Sequence, residues 1–277
     1  MGRRYLITGV LTRDSLAFAV ARELQRRGDE ILLTSFGRPR RLTERTAQLL
    51  DPVPEVLELD VTDADSLGSL AGQVRAQGWD YLDGVLHAIA YAPPDAISGN
   101  FLTTDSDAAE HTFRISAFSM KDVTTAVLPL LAKSPTGASV VGLDFDASRA
   151  VQGYDWMGVA KAALESTNRY LACYLGPLGI RVNLLALGPL ATTSSSGLGP
   201  FREWSQWFVD RAPLGWDVDD REVAAGPGCF LLGEESRGIT GTILHVDGGY
   251  RIKEEPMPGL EPVDPAEFEQ RALEEVS

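Results

Sequence analysis

The chain has 277 residues, 44% of them hydrophobic and 23% charged, which suits one large α/β domain or two small ones. A net charge of −14 argues against a nucleic-acid surface, which needs a basic patch, and no apolar run reaches membrane-spanning length. The two cysteines, Cys173 and Cys229, match no metal spacing and are expected to be buried thiols in a reducing compartment. With only His87, His111 and His245 besides, no metal site is expected. The N-terminus runs from two arginines straight into a strand-like segment, without the apolar region of a signal peptide, so a cytoplasmic location is expected.

In chain order, residues 5–8 read as a first strand ending at Gly9, and Ser15 opens a helical pattern of Leu16, Ala19, Val20 and Leu24. Residues 31–34 and 56–59 read as the second and third strands. Thr62 with Asp65 resembles a capping box for the next helix. Residues 82–90 form a fourth strand, apolar almost throughout, as in a sheet buried on both faces. A long helical region covers about 108–132, followed by a strand at 138–143, a helix running to about 175, and strands at 181–187 and 242–246. Ala225-Gly226-Pro227-Gly228 conflicts with a helix before the last strand, so that helix is expected to be broken or to start late. Alternating strands and helices predict a single Rossmann-type, doubly wound parallel sheet of about seven strands over residues 1–250. Residues 251–277 carry eight acids against Arg251, Lys253 and Arg271, with four prolines, and read as an appended acidic tail with a short helix from 265 to 275.

The chemistry centres on VGLDFDASRAVQGYDWMGVAK, residues 141–161. Tyr154 and Lys161 lie seven apart, which returns to nearly the same helical face two turns on. An ammonium near a tyrosine favours the phenolate and makes the phenol a readier donor. The bland alternative is an exposed helix face. The first turn, Gly9 to Ala17, sits where a dinucleotide's pyrophosphate meets a helix N-terminus, though only Gly9 of the usual glycines is present. Ser15 either donates to a phosphate through its N–H and hydroxyl or simply caps the helix. No acid ends the second strand. Phe36 is placed to lie against an adenine, and Arg38, Arg40 and Arg41 either meet a 2′-phosphate or are solvated. Asp60-Val61 is placed either to bind adenine or to cap a turn. Small residues after His87 leave room for a ribose, or are core.

Together these pieces resemble the short-chain dehydrogenase/reductase superfamily, and specifically its divergent branch of enoyl-acyl-carrier-protein reductases. The catalytic segment GLDFDASRAVQGYDWMGVAKAALES is most similar to NADH-using actinobacterial members. The resemblance covers residues 4–249, and its most specific element is the six-residue gap between Tyr154 and Lys161. It implies that Tyr154 hydrogen-bonds a thioester carbonyl and stabilises the enolate formed on hydride transfer. Lys161 would hold the nicotinamide ribose, and Phe145 would stand beside the substrate where ordinary carbonyl reductases have a serine. It places Gly9, Ser15, Leu16, Phe36, Asp60, Val61, Ala88, Ile115, Leu143, Leu190 and Thr192 at cofactor-contacting positions, with NADH as cofactor, an acyl carrier protein as partner and a homotetramer as assembly. Residues 193–210 would form a substrate-covering lid with Trp204, Trp207 and Phe208 as its apolar face and a mobile Ser194–Ser196, Gly197, Gly199 stretch. Arg202 and Arg211 would face the acidic carrier. Ala88 and Ala191 depart from the serine and arginine usual there, and the lid is about ten residues shorter than in long-chain members. The rival readings are a carbonyl (3-oxoacyl-type) reductase on the same fold and a non-catalytic dinucleotide sensor.

Overall fold

A computed structural model describes residues 2–195 and 201–252. Their strands are β1 (Arg4–Ile7), β2 (Glu30–Ser35), β3 (Val56–Glu58), β4 (Gly84–His87), β5 (Ala138–Asp144), β6 (Ile180–Leu187) and β7 (Ile243–Val246). They form one parallel sheet in the order β3-β2-β1-β4-β5-β6-β7. The helices are α1 (Leu16–Arg26), α2 (Arg40–Ala47), α3 (Ala64–Ala76), α4 (Ser106–Phe113), α5 (Ser119–Leu131), α6 (Asp155–Leu175), α7 (Phe201–Arg211) and α8 (Ala225–Leu232). Strand order reverses between β1 and β4, which opens a crevice at the carboxyl ends of those strands, the usual ligand site of such sheets.

Both faces of the sheet are dry, which explains the unbroken apolar strands. On one face Leu6, Val85 and Val140 pack with Leu70 and Val74 of α3, Met120 and Val127 of α5, and Leu164 of α6. On the other, Ile7, Leu86 and Val141 pack with Phe18, Val20 and Leu24 of α1, Ala47 of α2, and Leu231 of α8. Among the described residues no helix is long and apolar enough to cross a membrane.

Several local expectations are corrected. The α3 cap is Asp63, whose Oδ1 accepts from the Asp65 N–H at 3.0 Å; Thr62 instead donates both its N–H and hydroxyl to Asp60 Oδ1. The 108–132 helix is interrupted by a π-turn, Arg114–Phe118. Cys173 is exposed, so only Cys229 is a buried thiol. The helix at Pro227 does start late: a 3-10 turn, Arg221–Ala224, precedes α8, and Pro227 falls in the first helical turn, where a missing N–H costs no intrahelical bond. The acidic tail beyond Ile252, with its 265–275 helix, lies outside the described residues.

Gly9, two residues past β1, adopts φ +77°, and a Cβ there would lie 2.0 Å from the Ala88 carbonyl oxygen. Neither the backbone angle nor the space admits a side chain. Gly9→Ala should therefore lower the unfolding free energy by more than about 1 kcal/mol, read as a drop in the urea midpoint at unchanged m-value.

Candidate active site

The carboxyl end of β5 carries the chemistry. Lys161, on the second turn of α6, is only 6% exposed, and its Nζ donates to the Leu143 carbonyl at 2.8 Å. Tyr154 stands one residue before α6 and is half-buried. Its ring lies 5.1 Å from Phe145 and 5.9 Å, edge-on, from Trp204 of α7. Phe145 and Trp204 line a cavity of about 940 Å³ whose other walls include Val151, Trp207, Phe208 and Tyr250.

A strained junction holds Tyr154 in place. Asp155 adopts φ +46°, left-handed for a non-glycine residue. Its Oδ2 accepts the N–H groups of Gly99 and Asn100 at 2.6 and 3.2 Å, while the Ser98 N–H donates to Gly153 O at 2.8 Å. Trp156 adds a stacked contact with Phe101, ring centroids 5.3 Å apart, and an indole hydrogen bond to its carbonyl. The segment 98–101 is thus fastened to the start of α6.

The electrostatics differ from the expected tyrosine–lysine coupling. Burial and then the Asp144 carboxyl push the Tyr154 hydroxyl above its ordinary value, and Lys161 has no part in that shift. The phenol stays protonated, so it is a hydrogen-bond donor and not a phenolate. Burial lowers the Lys161 ammonium from its usual range, against the opposing pull of Asp144. Asp144 is the group the sequence reading missed. It is 6% exposed, and neither carboxylate oxygen has a side-chain hydrogen-bond partner, the neighbouring Phe145 N–H being the backbone donor that eases its burial. Burial raises its pKa to about 7, with Lys161 opposing and Glu165 adding to the rise. Its signal was an acid ending an otherwise apolar strand.

The expected dinucleotide residues line the crevice unevenly. Gly9 brings the β1 loop against Ala88, whose N–H donates to Thr8 Oγ1. Ser15 sits at the N-cap of α1, but its hydroxyl oxygen accepts the Leu11 and Thr12 N–H groups, both at 3.0 Å, and its own N–H donates to Thr12 O. Ser15 therefore shapes the loop, while Leu16 begins the helix whose N-terminus opens beside it. Phe36 is 41% exposed after β2. Arg40 is committed to Glu44, Glu58 and the Val56 carbonyl, so it is not held ready for a 2′-phosphate. Asp60 caps its own turn and Val61 is core, both just past the carboxyl end of β3. His87 is fully buried on Ser119 and held neutral, its pKa lowered to about 3 by burial first and Lys161 second. Ile115 lies in the π-turn, which Ser116 ties to Tyr91 in the loop after β4. Leu190 is buried, and its carbonyl and Thr192 are joined through Ser195 Oγ.

A left-handed glycine at the switch point, an open helix N-terminus and a buried ammonium at β5 fit a dinucleotide. Among the described residues no cluster of three or more His, Cys, Asp or Glu side chains gathers to hold a metal.

α7 forms one wall of the cavity. Trp204 Nε1 donates to Gln152 O, and Phe208 stacks on Tyr250 at 4.0 Å, whereas Trp207 is half exposed and bonds the Tyr250 hydroxyl. Of the expected mobile stretch, residues 196–200 lie outside the described part.

The raised Asp144 value has a definite sign. Between about pH 4 and 7 the native state keeps a proton that the unfolded chain releases, so Asp144 makes stability fall as pH rises through that window. His87 acts oppositely: stability falls as pH drops from 6.5 toward 3, where only the unfolded imidazole charges. Asp144→Asn should therefore gain stability relative to the parent as pH is raised from 5 to 8, measured by urea unfolding. A pH-independent difference would remove this assignment.

Comparison with known proteins agrees with this architecture. The family described as "Enoyl-(Acyl carrier protein) reductase" matches residues 9–251. A relative from Mycolicibacterium smegmatis, named "Enoyl-[acyl-carrier-protein] reductase [NADH]", is 37% identical over 261 residues, covering 90% of this chain and 96% of the relative. One of the same name from Mycobacterium avium is 36% identical, with 90% and 96% covered. A third, "Enoyl-[acyl-carrier-protein] reductase [NADH] FabI" from Neisseria meningitidis, is 34% identical, covering 91% and 95%. With the sheet, the crevice and the β5 site in place, a match over nearly its whole length makes this chain a member of the enoyl-(acyl carrier protein) reductase family.

Proposed function

We propose that this protein is a cytoplasmic, NADH-dependent enoyl-acyl-carrier-protein reductase, converting a trans-2-enoyl thioester to the saturated acyl chain in fatty acid or related acyl-chain biosynthesis. Beyond family membership, the observation that carries the reading is the Tyr154 ring packed between Phe145 and Trp204, two aromatic residues of the cavity wall, with the buried Lys161 two turns on. When bound, NADH would supply the hydride for C3 of the enoyl chain, and a proton from solvent would complete the reduction at C2. Tyr154 donates a hydrogen bond to the thioester carbonyl oxygen as negative charge builds there. That is stabilisation of an oxyanion in a water-poor site, where a fixed donor acts most strongly. Lys161, anchored by one proton to Leu143 O, keeps the local potential positive and has two further protons for the nicotinamide ribose hydroxyls. Phe145 fills the place beside the thioester with a ring that offers no proton. The crevice residues Gly9, Ser15, Leu16, Phe36, Asp60, Val61, Ala88, Ile115, Leu143, Leu190 and Thr192 line the cofactor's path. The relatives' printed cofactor supports NADH over its 2′-phosphorylated form, and the commitment of Arg40 to two carboxylates leaves only the exposed Arg38 and Arg41 beside that position.

α7 acts as the lid over the acyl chain, with Trp204 and Phe208 toward the cavity. Arg202 is exposed and Arg211 lies against the Trp207 ring, 3.1 Å from its centroid, so both stand near the entrance that an acidic carrier protein would approach. In a homotetramer, apolar surface on α4, the π-turn and α6 would be available for burial between copies, since Phe113, Phe118, Val159, Tyr170 and Tyr174 are all more than 40% exposed.

NADH oxidation with enoyl thioesters tests the reading directly. The protein should use NADH in preference to NADPH, and Tyr154→Phe should lower kcat on the order of 10²-fold while still binding NADH. Lys161→Met should instead weaken NADH binding. Tight NADH binding without turnover of any enoyl thioester would favour a sensor. For the carrier, Arg202→Glu with Arg211→Glu should lower kcat/KM about fivefold or more on carrier-borne substrate. The loss should be smaller on a neutral N-acetylcysteamine thioester.

A further inference from the structure

Two loops flank the crevice, one after β1 and one after β6. β4 and β5 separate those strands in the sheet, so no ladder joins their ends. Side chains span the gap instead. Thr12 Oγ1 meets Thr193 Oγ1 at 3.1 Å. A larger tie comes from outside the crevice, from the residue that opens the 3-10 turn before α8. Arg221 Nε donates to the Ala191 carbonyl at 2.5 Å, in the loop after β6. Its Nη1 lies 3.8 Å from Asp14 Oδ1, in the loop after β1, and its Nη2 lies 3.6 Å from Asp219 Oδ1. The Ala191 N–H is held from the same side, donating to Val218 O at 2.7 Å.

We propose that Arg221 is a positioning residue for the dinucleotide, a latch that sets the spacing of the β1 and β6 loops and so the fit of the cofactor's pyrophosphate. The inference rests on the NADH reading above. A guanidinium suits the task because its planar fork bonds the Ala191 and Asp219 carbonyls while its two Nη atoms stay within ion-pair range of Asp14 and Asp219, which a single ammonium does not do. The competing role is that of a point charge attracting the diphosphate. The two roles differ in sign at Asp14. Removing that carboxylate makes the entrance less negative, which helps a diphosphate bind if net charge rules. It loosens the latch, and weakens binding, if geometry rules.

Calorimetric titration of NADH and of ADP into the parent protein, Arg221→Met, Arg221→Lys and Asp14→Ala separates these. The latch predicts that Arg221→Met raises both Kd values about tenfold, the worth of a charge-assisted hydrogen bond. Arg221→Lys should do nearly the same, and Asp14→Ala should raise Kd about twofold, as a part-exposed ion pair allows. KM for NADH should follow Kd, with kcat at saturating NADH within about twofold of the parent. Tighter binding by Asp14→Ala, or parent-like Kd in Arg221→Lys, overturns the latch. If Arg221→Met does not fold, the sign of the Asp14→Ala change decides alone. A parent protein that binds neither NADH nor ADP overturns the cofactor reading as well.

Discussion

An ammonium buried at the end of a parallel strand is the constraint around which this molecule is arranged. Lys161 has left water, and one carbonyl hydrogen bond does not replace its hydration shell. What keeps such a group tolerable is the field around it. Asp144, with no side-chain partner on either oxygen, draws positive charge toward the same spot, and the two oppose each other's desolvation. A buried acid and base left short of partners amount to stored electrostatic energy. In a fold built only for stability, leucines would serve better. Their presence at the carboxyl edge of the sheet, beside the switch point, is what separates this site from the rest of the core.

The protonated phenol follows from the same arrangement. A tyrosine beside an unopposed lysine would drift toward phenolate and lose its proton as a donor. Here burial, first, and the Asp144 carboxyl, second, both hold the phenol above its ordinary value. The aromatic surroundings add to the effect: the rings of Phe145 and Trp204, both lining the cavity, pack against the Tyr154 ring.

Much of the fold was legible in the sequence because period-2 and period-3.6 patterns report burial directly, and a seven-strand α/β pattern leaves few topologies. The failures were local and electrostatic. The π-turn at Arg114–Phe118 left no mark in the hydrophobic period, since one extra residue in a buried helix preserves its composition. The α3 cap fell one residue later than expected because Thr62 found a better partner in Asp60. Asp144 was visible as a letter but not as a group, because its meaning depends on Lys161 and Glu165 lying across from it. Ser15 was legible as a choice between two roles, and the folded loop assigns its oxygen to Leu11 and Thr12. Arg221 carried no signal, since the two loops it ties lie about 30 and more than 200 residues away along the chain.

The left-handed Asp155 binds the phenol's position to a loop more than fifty residues earlier. Substrate-facing loops are the parts of an enzyme most often exchanged between relatives to change what is accepted. In this protein the 98–101 segment and residue 155 form one heritable unit: a loop transplanted without an acid at 155 would arrive with two backbone N–H groups lacking their acceptor, and the helix start would lose its reason to bend. The shape of that loop and the placement of the Tyr154 ring are therefore free to diverge only together.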